Sequence, residues 1–210
     1  MKLIGMLDSP YVRRVAVSLQ LLGLRFEHQS LSVFRHLDAF RHVNPVVKAP
    51  TLVCDSGTVL MDSTLILQYA QALARPRTLD PQDPAALEQD LRLTGLALAA
   101  CEKAVQIVYE HHLRPADKQH APWLERVDAQ LAAACRALEG ELARRTAPAG
   151  EAALTQGWVS TAVAWKFVQE MVPNSAPAVE HPQLAAFSRR AEAWPAFAAA
   201  PHGDGTVRTA

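Results

Sequence analysis

The sequence predicts a small mixed α/β domain followed by an all-α domain. Three observations carry this. Up to about residue 74, short apolar runs alternate with helix-period segments. Pro76, Pro81 and Pro84 then crowd nine residues that neither a helix nor a central strand crosses easily. Beyond them every patterned segment has helical period and none reads as a strand. The expected boundaries are 1–76 for the first domain, 77–84 for the linker and 85–210 for the second.

Lys2 to Leu7 reads as a strand and Asp8-Ser9-Pro10 as the turn that opens a helix. Val12, Val15, Ala16, Leu19 and Leu22 share one face of that helix, and Gly23 stops it. Ser9 falls at the N-cap, and Pro10 at the first helical position, where a missing N–H costs nothing. Arg25 to Leu31 reads as a second strand, giving a βαβ unit. His36 to Val43 is weakly patterned and suits a short irregular helix. Thr51 to Cys54, the turn Asp55-Ser56-Gly57 and Val59 to Met61 form a hairpin. Ser63 to Leu73 is helical, with Leu65, Ile66, Tyr69, Ala70 and Leu73 spaced to bury one side.

In the second domain, Leu87, Leu91, Thr94, Leu98, Cys101, Val105 and Val108 form the expected seam of a long helix ending near His112. Leu124, Val127, Leu131, Ala134, Leu138 and Leu142 mark an antiparallel partner. Trp158 to Val172 is apolar nearly all round and should be enclosed. His181 to Trp194 gives a shorter helix, and Ala196 to Ala200 one further turn.

Composition narrows the partners. Lysine plus arginine and aspartate plus glutamate each number 21, and neither sign is concentrated, so nucleic acid and anionic membrane surfaces are not expected partners. No run approaches the roughly 20 apolar residues of a membrane span. Asp8 and Pro10 stand where a signal peptide needs an apolar core, which favours a cytoplasmic location. Cys54, Cys101 and Cys135 are far apart in apolar or alanine-rich contexts and read as buried free thiols of a reducing compartment. His111-His112 has no carboxylate or histidine at metal-ligand spacing, so no metal is expected.

Ser9-Pro10-Tyr11-Val12-Arg13-Arg14-Val15, Asn44-Pro45-Val46-Val47-Lys48-Ala49-Pro50 and Asp62-Ser63 resemble, in order and spacing, three landmarks of the cytosolic glutathione transferases. The resemblance covers essentially the whole chain. It implies a thioredoxin-like N-terminal domain that binds glutathione as cosubstrate, followed by the all-helical C-terminal domain of that family. It also implies a homodimer acting on a small apolar electrophile.

On this resemblance Ser9 is the catalytic residue of a serine-type enzyme. Its hydroxyl accepts a backbone N–H as a cap while its proton goes to the glutathione sulfur. A cysteine there would suggest thiol-disulfide exchange, so Ser9 points toward conjugation. The family holds a cis proline at the position of Pro50, which turns the Ala49 backbone toward the cysteinyl backbone of glutathione. Ser63 and Asp62 would take the γ-glutamyl carboxylate and ammonium at a helix N-terminus. Arg35, His36 and Lys48 are all candidates for the glycyl carboxylate. Tyr11, Tyr109, Leu113 and Trp165 are expected around the second substrate.

Three positions depart from the family pattern. Val47 stands where glycine is usual, and a branched residue resists positive φ. Asp62 replaces the commoner glutamate. Thr155-Gln156-Gly157-Trp158 puts a tryptophan where an aspartate would complete a capping box, so that helix should begin less firmly. Two other readings keep the fold: a non-catalytic glutathione-binding carrier or regulatory protein, and a glutathione-dependent reductase or isomerase.

Overall fold

The computed structural model describes residues 1–208. Its contacts divide the chain into two compact units: Met1–Asp80 together with the chain from Glu192 onward, and Pro81–Ala191. The expected helical domain ran through residue 210, but its last segment groups with the αβ unit. The reason is local. Arg13, buried on the first helix, donates from Nη1 and Nη2 to the two carboxylate oxygens of Glu192 at 2.7 and 2.6 Å, and from Nε to the Ala200 carbonyl at 2.7 Å. A guanidinium fork of this kind matches a carboxylate in both distance and plane.

The αβ unit follows the expected order: β1 (Lys2–Ile4), α1 (Pro10–Leu21), β2 (Glu27–Gln29), α2 (Leu37–Val43), β3 (Thr51–Val53), β4 (Val59–Leu60) and α3 (Ser63–Ala74). The sheet order is β2-β1-β3-β4. β1 pairs parallel with β2, whereas β1 with β3 and β3 with β4 are antiparallel. Strands of two or three residues are shorter than the apolar runs suggested, because Cys54 and Thr58 already close the hairpin turn. Leu3, Ile4, Val12, Val15, Leu19, Phe40, Leu52 and Ile66 form the core.

Helix α1 stops as its sequence requires. Gly23 has φ +71°, its N–H donates to the Gln20 carbonyl, and Leu24 N–H donates to the Leu19 carbonyl, a Schellman arrangement. A side chain at Gly23 would also meet the Arg77 guanidinium at 2.6 Å. The chain after Glu192 adds α8 (Pro195–Ala199) to this unit. Beyond it, Asp204 meets Ser30 and Arg35, and Val207 N–H donates to His28 Nδ1 at 3.0 Å. His28 Nε2 lies 2.8 Å from the Gly5 carbonyl, so the neutral Nε2–H tautomer satisfies both contacts. Burial lowers the His28 pKa below its ordinary value, consistent with that neutral form.

The second unit consists of α4 (Pro84–Leu113), α5 (Ala121–Ala143), α6 (Gln156–Met171) and α7 (Pro182–Glu192) as far as Ala191, with short 3-10 turns between them. Helix α4 packs on both α5 and α6. Its seam differs from the expected one. The buried stripe is Leu93, Ala97, Ala100, Cys101, Ala104 and Ile107, while Leu91 is 58% exposed and Leu87, Leu98 and Val105 are half-buried. A helix flanked on two sides presents its alanines, which permit close approach, and the leucines fall on the margins. The α5 seam from Val127 to Leu142 and the enclosure of α6 agree with the sequence.

The start of α6 corrects a second expectation. Thr155 makes no cap bond to its own helix. Asp90, buried on α4, takes that role instead: one carboxylate oxygen receives the Thr155 hydroxyl and the other receives Gly157 N–H at 2.9 Å. The missing capping carboxylate is thus supplied from another helix, and α6 begins firmly.

Cys54, Cys101 and Cys135 are buried thiols, none of them in a disulfide, and burial pushes the Cys135 thiol up to about 12. Among the described residues no helix is long and apolar enough to cross a membrane. On α5, Glu141 is buried among three guanidiniums, from Arg92 (2.7 Å), Arg144 (2.8 Å) and Arg145. The hydrogen bond from Arg92 does most to hold its carboxyl at about 2, with Arg145 and Arg144 adding and burial opposing. A carboxyl depressed in the folded state stabilises the fold above its ordinary value of 4.5 and loses that contribution as pH falls toward 2. Glu141→Gln is therefore expected to lower stability at neutral pH and to flatten the acid limb of the unfolding curve between those values. Urea titrations at stepped pH check this, and an unchanged acid limb would discard the role given to Glu141.

Candidate functional site

Ser9 sits in the turn between β1 and α1. Its Oγ accepts Val12 N–H at 3.4 Å, while its carbonyl accepts Arg13 N–H. One lone pair of the hydroxyl is engaged, and its proton is left to donate. The neighbouring Asp8 is half-buried. Burial pushes its carboxyl above the ordinary value, His202 pulls it back, Asp204 raises it and Arg35 lowers it.

The Ala49-Pro50 turn approaches the same place. Gly5, at φ +136°, faces both: a Cβ there would lie 2.6 Å from Val12 Cγ2 and 3.2 Å from Ala49 Cβ. Only glycine allows β1 to run on between α1 and this loop. Nothing in the sequence reading singled out Gly5, although a glycine directly after an apolar strand is a usable sign of close backbone approach. The Ala49-Pro50 bond is cis, as expected, and the Ala49 backbone meets no backbone partner among the described residues.

The loop before it is shaped by Asn44, the first residue of the second landmark, to which the sequence assigned no role. Asn44 is buried: its Oδ1 accepts Val46 N–H at 3.0 Å, its carbonyl accepts Val47 N–H, and its Nδ2 donates to Thr51 Oγ1 at 2.8 Å. These bonds hold Val47 at φ +54°. The branched residue thus adopts a left-handed conformation that glycine takes more easily, against a cost of about 1–2 kcal/mol. An Asn side chain bonding two residues ahead is an Asx turn, so Asn44-Pro45 was the available signal.

Asp62 and Ser63 open α3. Asp62 is the N-cap, with Oδ1 accepting Thr64 N–H at 2.9 Å, and its side chain is otherwise exposed. Ser63 is buried at the first helical position, and its Oγ accepts from Arg14 Nη1 at 3.1 Å. The same Nη1 lies 3.4 Å from Thr64 Oγ1.

The three candidates for a terminal carboxylate differ in their commitments. Arg35 pairs with Asp204 at 2.8 Å and also contacts Met6 Sδ. His36 Nδ1 receives Ser32 N–H at 3.1 Å. The Lys48 side chain is exposed and has no ion pair among the described residues. In the helical unit, Tyr109 and Leu113 stand one turn apart on α4 and are 43% and 53% exposed. Trp165 belongs to the core of that unit, its ring 5.3 Å from the imidazole of His181. Tyr11 is half-buried on α1. Among the described residues no group of three histidine, cysteine, aspartate or glutamate side chains is arranged to hold a metal ion.

Residues 3–78 match the family model described as the glutathione S-transferase N-terminal domain. A glutathione S-transferase from Methylobacterium radiotolerans, solved in complex with glutathione sulfonate, superposes with a TM-score of 0.87 at 27% identity, covering 97% of this chain and 96% of that one. A glutathione transferase family member from Pseudomonas fluorescens Pf-5, solved with bound glutathione, gives 0.81 at 28% identity over 96% and 98% of the two chains. The uncharacterized GST-like protein YibF of Escherichia coli K12 is 26% identical over 174 residues, 83% of this chain and 86% of its own length. The fold is therefore a thioredoxin-like domain with a small mixed sheet and a mostly helical second domain, as in these neighbours.

Proposed function

We propose that this chain is a glutathione transferase of the serine type, in which Ser9 activates the glutathione thiol for attack on a small apolar electrophile. The family match over the αβ domain and the two neighbours solved with glutathione or its sulfonate support glutathione binding. The single observation that carries the chemistry is the Ser9 hydroxyl, capped on one lone pair by Val12 N–H at the start of α1 and retaining its proton.

A free thiol of pKa about 8.5 is only about 3% thiolate at pH 7. A pKa lowered by about two units makes it roughly three-quarters thiolate, which requires about 2.7 kcal/mol of preference for the anion. A hydrogen bond to an anion contributes about 1.5–3 kcal/mol, and the positive end of α1 adds to it. Ala49 supplies backbone partners for the cysteinyl residue, Asp62 the partner for the γ-glutamyl ammonium, and Ser63 the partner for its carboxylate. Lys48 is the best choice for the glycyl carboxylate, since Arg35 and His36 already hold Asp204 and Ser32. A homodimer belongs to the same reading and is supported by Leu65, Tyr69 and Leu73, which, contrary to the burial expected from their spacing, form an exposed apolar stripe at four-residue intervals along α3.

Ser9→Ala tests the proposal. The bound thiol pKa is expected to rise by about one to two units, with a roughly ten-fold fall in conjugation rate at pH 7 that recovers at high pH. Ultraviolet titration of bound glutathione reads the first effect and an aryl-halide assay the second. A thermal melt beside them registers the lost cap, worth about 1 kcal/mol. A titration curve that stays in place while stability drops would reduce Ser9 to a helix cap.

A further inference from the structure

Two adjacent arginines on α1 have opposite fates. Arg13 is spent within the fold on Glu192 and Ala200. Arg14, one residue on and about 100° around the helix, is equally buried and reaches the N-terminus of α3. Its contact with Ser63 has a definite polarity. A guanidinium has only N–H donors, never an acceptor, and keeps its charge at any working pH. At 3.1 Å the Ser63 oxygen must therefore accept, and the hydroxyl proton is turned away from Arg14.

That proton is not needed by the helix. The cap of α3 belongs to Asp62, whose carboxylate takes Thr64 N–H. Among the described residues no acceptor is found for the Ser63 hydroxyl proton. Ser63 is thus prepared as a donor, at a helix N-terminus and beside a buried cation, two features that both favour an anion. We infer that Arg14 is a positioning residue for the ligand's γ-glutamyl carboxylate, acting through Ser63: it fills the lone pair by which Ser63 would otherwise accept, and fixes the hydroxyl as a donor to that carboxylate. This rests on the glutathione site proposed above.

The test compares glutathione with cysteinylglycine, which keeps the thiol and glycyl carboxylate but lacks the γ-glutamyl group, by calorimetry on the full-length protein. Arg14→Gln is expected to weaken glutathione about ten-fold or more, the range of a hydrogen bond to a charged group. Its affinity for cysteinylglycine should stay within about two-fold of the parent value. Ser63→Ala should show the same selectivity, and the double variant should be little worse than either alone. Arg14→Lys, still a pure donor, should recover part of the loss and serves in place of Arg14→Gln if that variant does not fold. Equal weakening of both ligands, an unchanged glutathione affinity, or additive losses with Ser63→Ala would each overturn the inference. A parent protein that does not prefer glutathione to cysteinylglycine would instead overturn the glutathione site itself.

Discussion

Replacing Arg13 with methionine is expected to destabilise the αβ unit by about 3 kcal/mol, the lower end of what breaking a buried ion pair costs. The lower end applies because Arg13 is 1% exposed but the Glu192 side chain is 25% exposed and keeps some solvation. The substitution conserves much of the aliphatic bulk, so the loss is electrostatic. It strands the Glu192 carboxylate, leaves the Ala200 carbonyl without its donor, and removes the guanidinium that lies 5.8 Å from the Phe197 ring centre. Glu192→Gln should cost less, because the amide oxygen still accepts one of the two N–H groups. Trp194, two residues from Glu192, provides a local fluorescence probe for urea unfolding. A loss below about 1 kcal/mol would show that the pair is replaced by water at little cost.

The second large effect is expected at Gly157. A Cβ there would sit 2.6 Å from both the main-chain oxygen and the carboxylate Oδ1 of Asp90. The main-chain oxygen belongs to α4 and cannot swing aside. Gly157→Ala must push α6 off α4, adding overpacking to the loss of the N–H bond to Asp90, and about 3 kcal/mol is the expected sum. Asp90→Asn should cost about 1–2 kcal/mol, since it retains one oxygen acceptor but loses the charge that favours the helix end. Calorimetric melting of the variants orders the two effects. If Gly157→Ala melts with the parent protein, the contact between α4 and the start of α6 is looser than described.

The fold was largely readable because its signals are local. Ser9-Pro10 and Gly23 bracket α1 by cap chemistry, and the hairpin glycine and the proline-rich linker act on their own neighbourhoods. Ser9 and Asp62 could be placed at helix starts for the same reason. What escaped was made by contacts distant in sequence. Asp90 caps a helix that starts more than sixty residues later, and no capping box announces it. The α4 seam was misread by one position because leucine spacing was followed, whereas the interfaces with α5 and α6 select alanine. Arg13 and Arg14 are adjacent in the first landmark, and only the fold distinguishes their partners. Val47 was expected to resist positive φ, and the bonds from Asn44 show what holds it there.

The αβ unit is made from two stretches of chain that are far apart in the order of synthesis. Arg13 and Glu192 are 179 positions apart, as are His28 and Val207, and the whole helical segment is translated between them. Closing so long a loop adds little to the thermodynamic cost, because that cost grows only with the logarithm of length. In time it matters more, since long-range contacts form slowly and a nascent chain emerges at about 5–20 residues per second. For several seconds after α1 leaves the ribosome, its Arg13 guanidinium has no Glu192 to meet. The first domain to be translated is therefore the last to be finished, and its sheet waits, held by strands of two and three residues, for the closing segment to arrive.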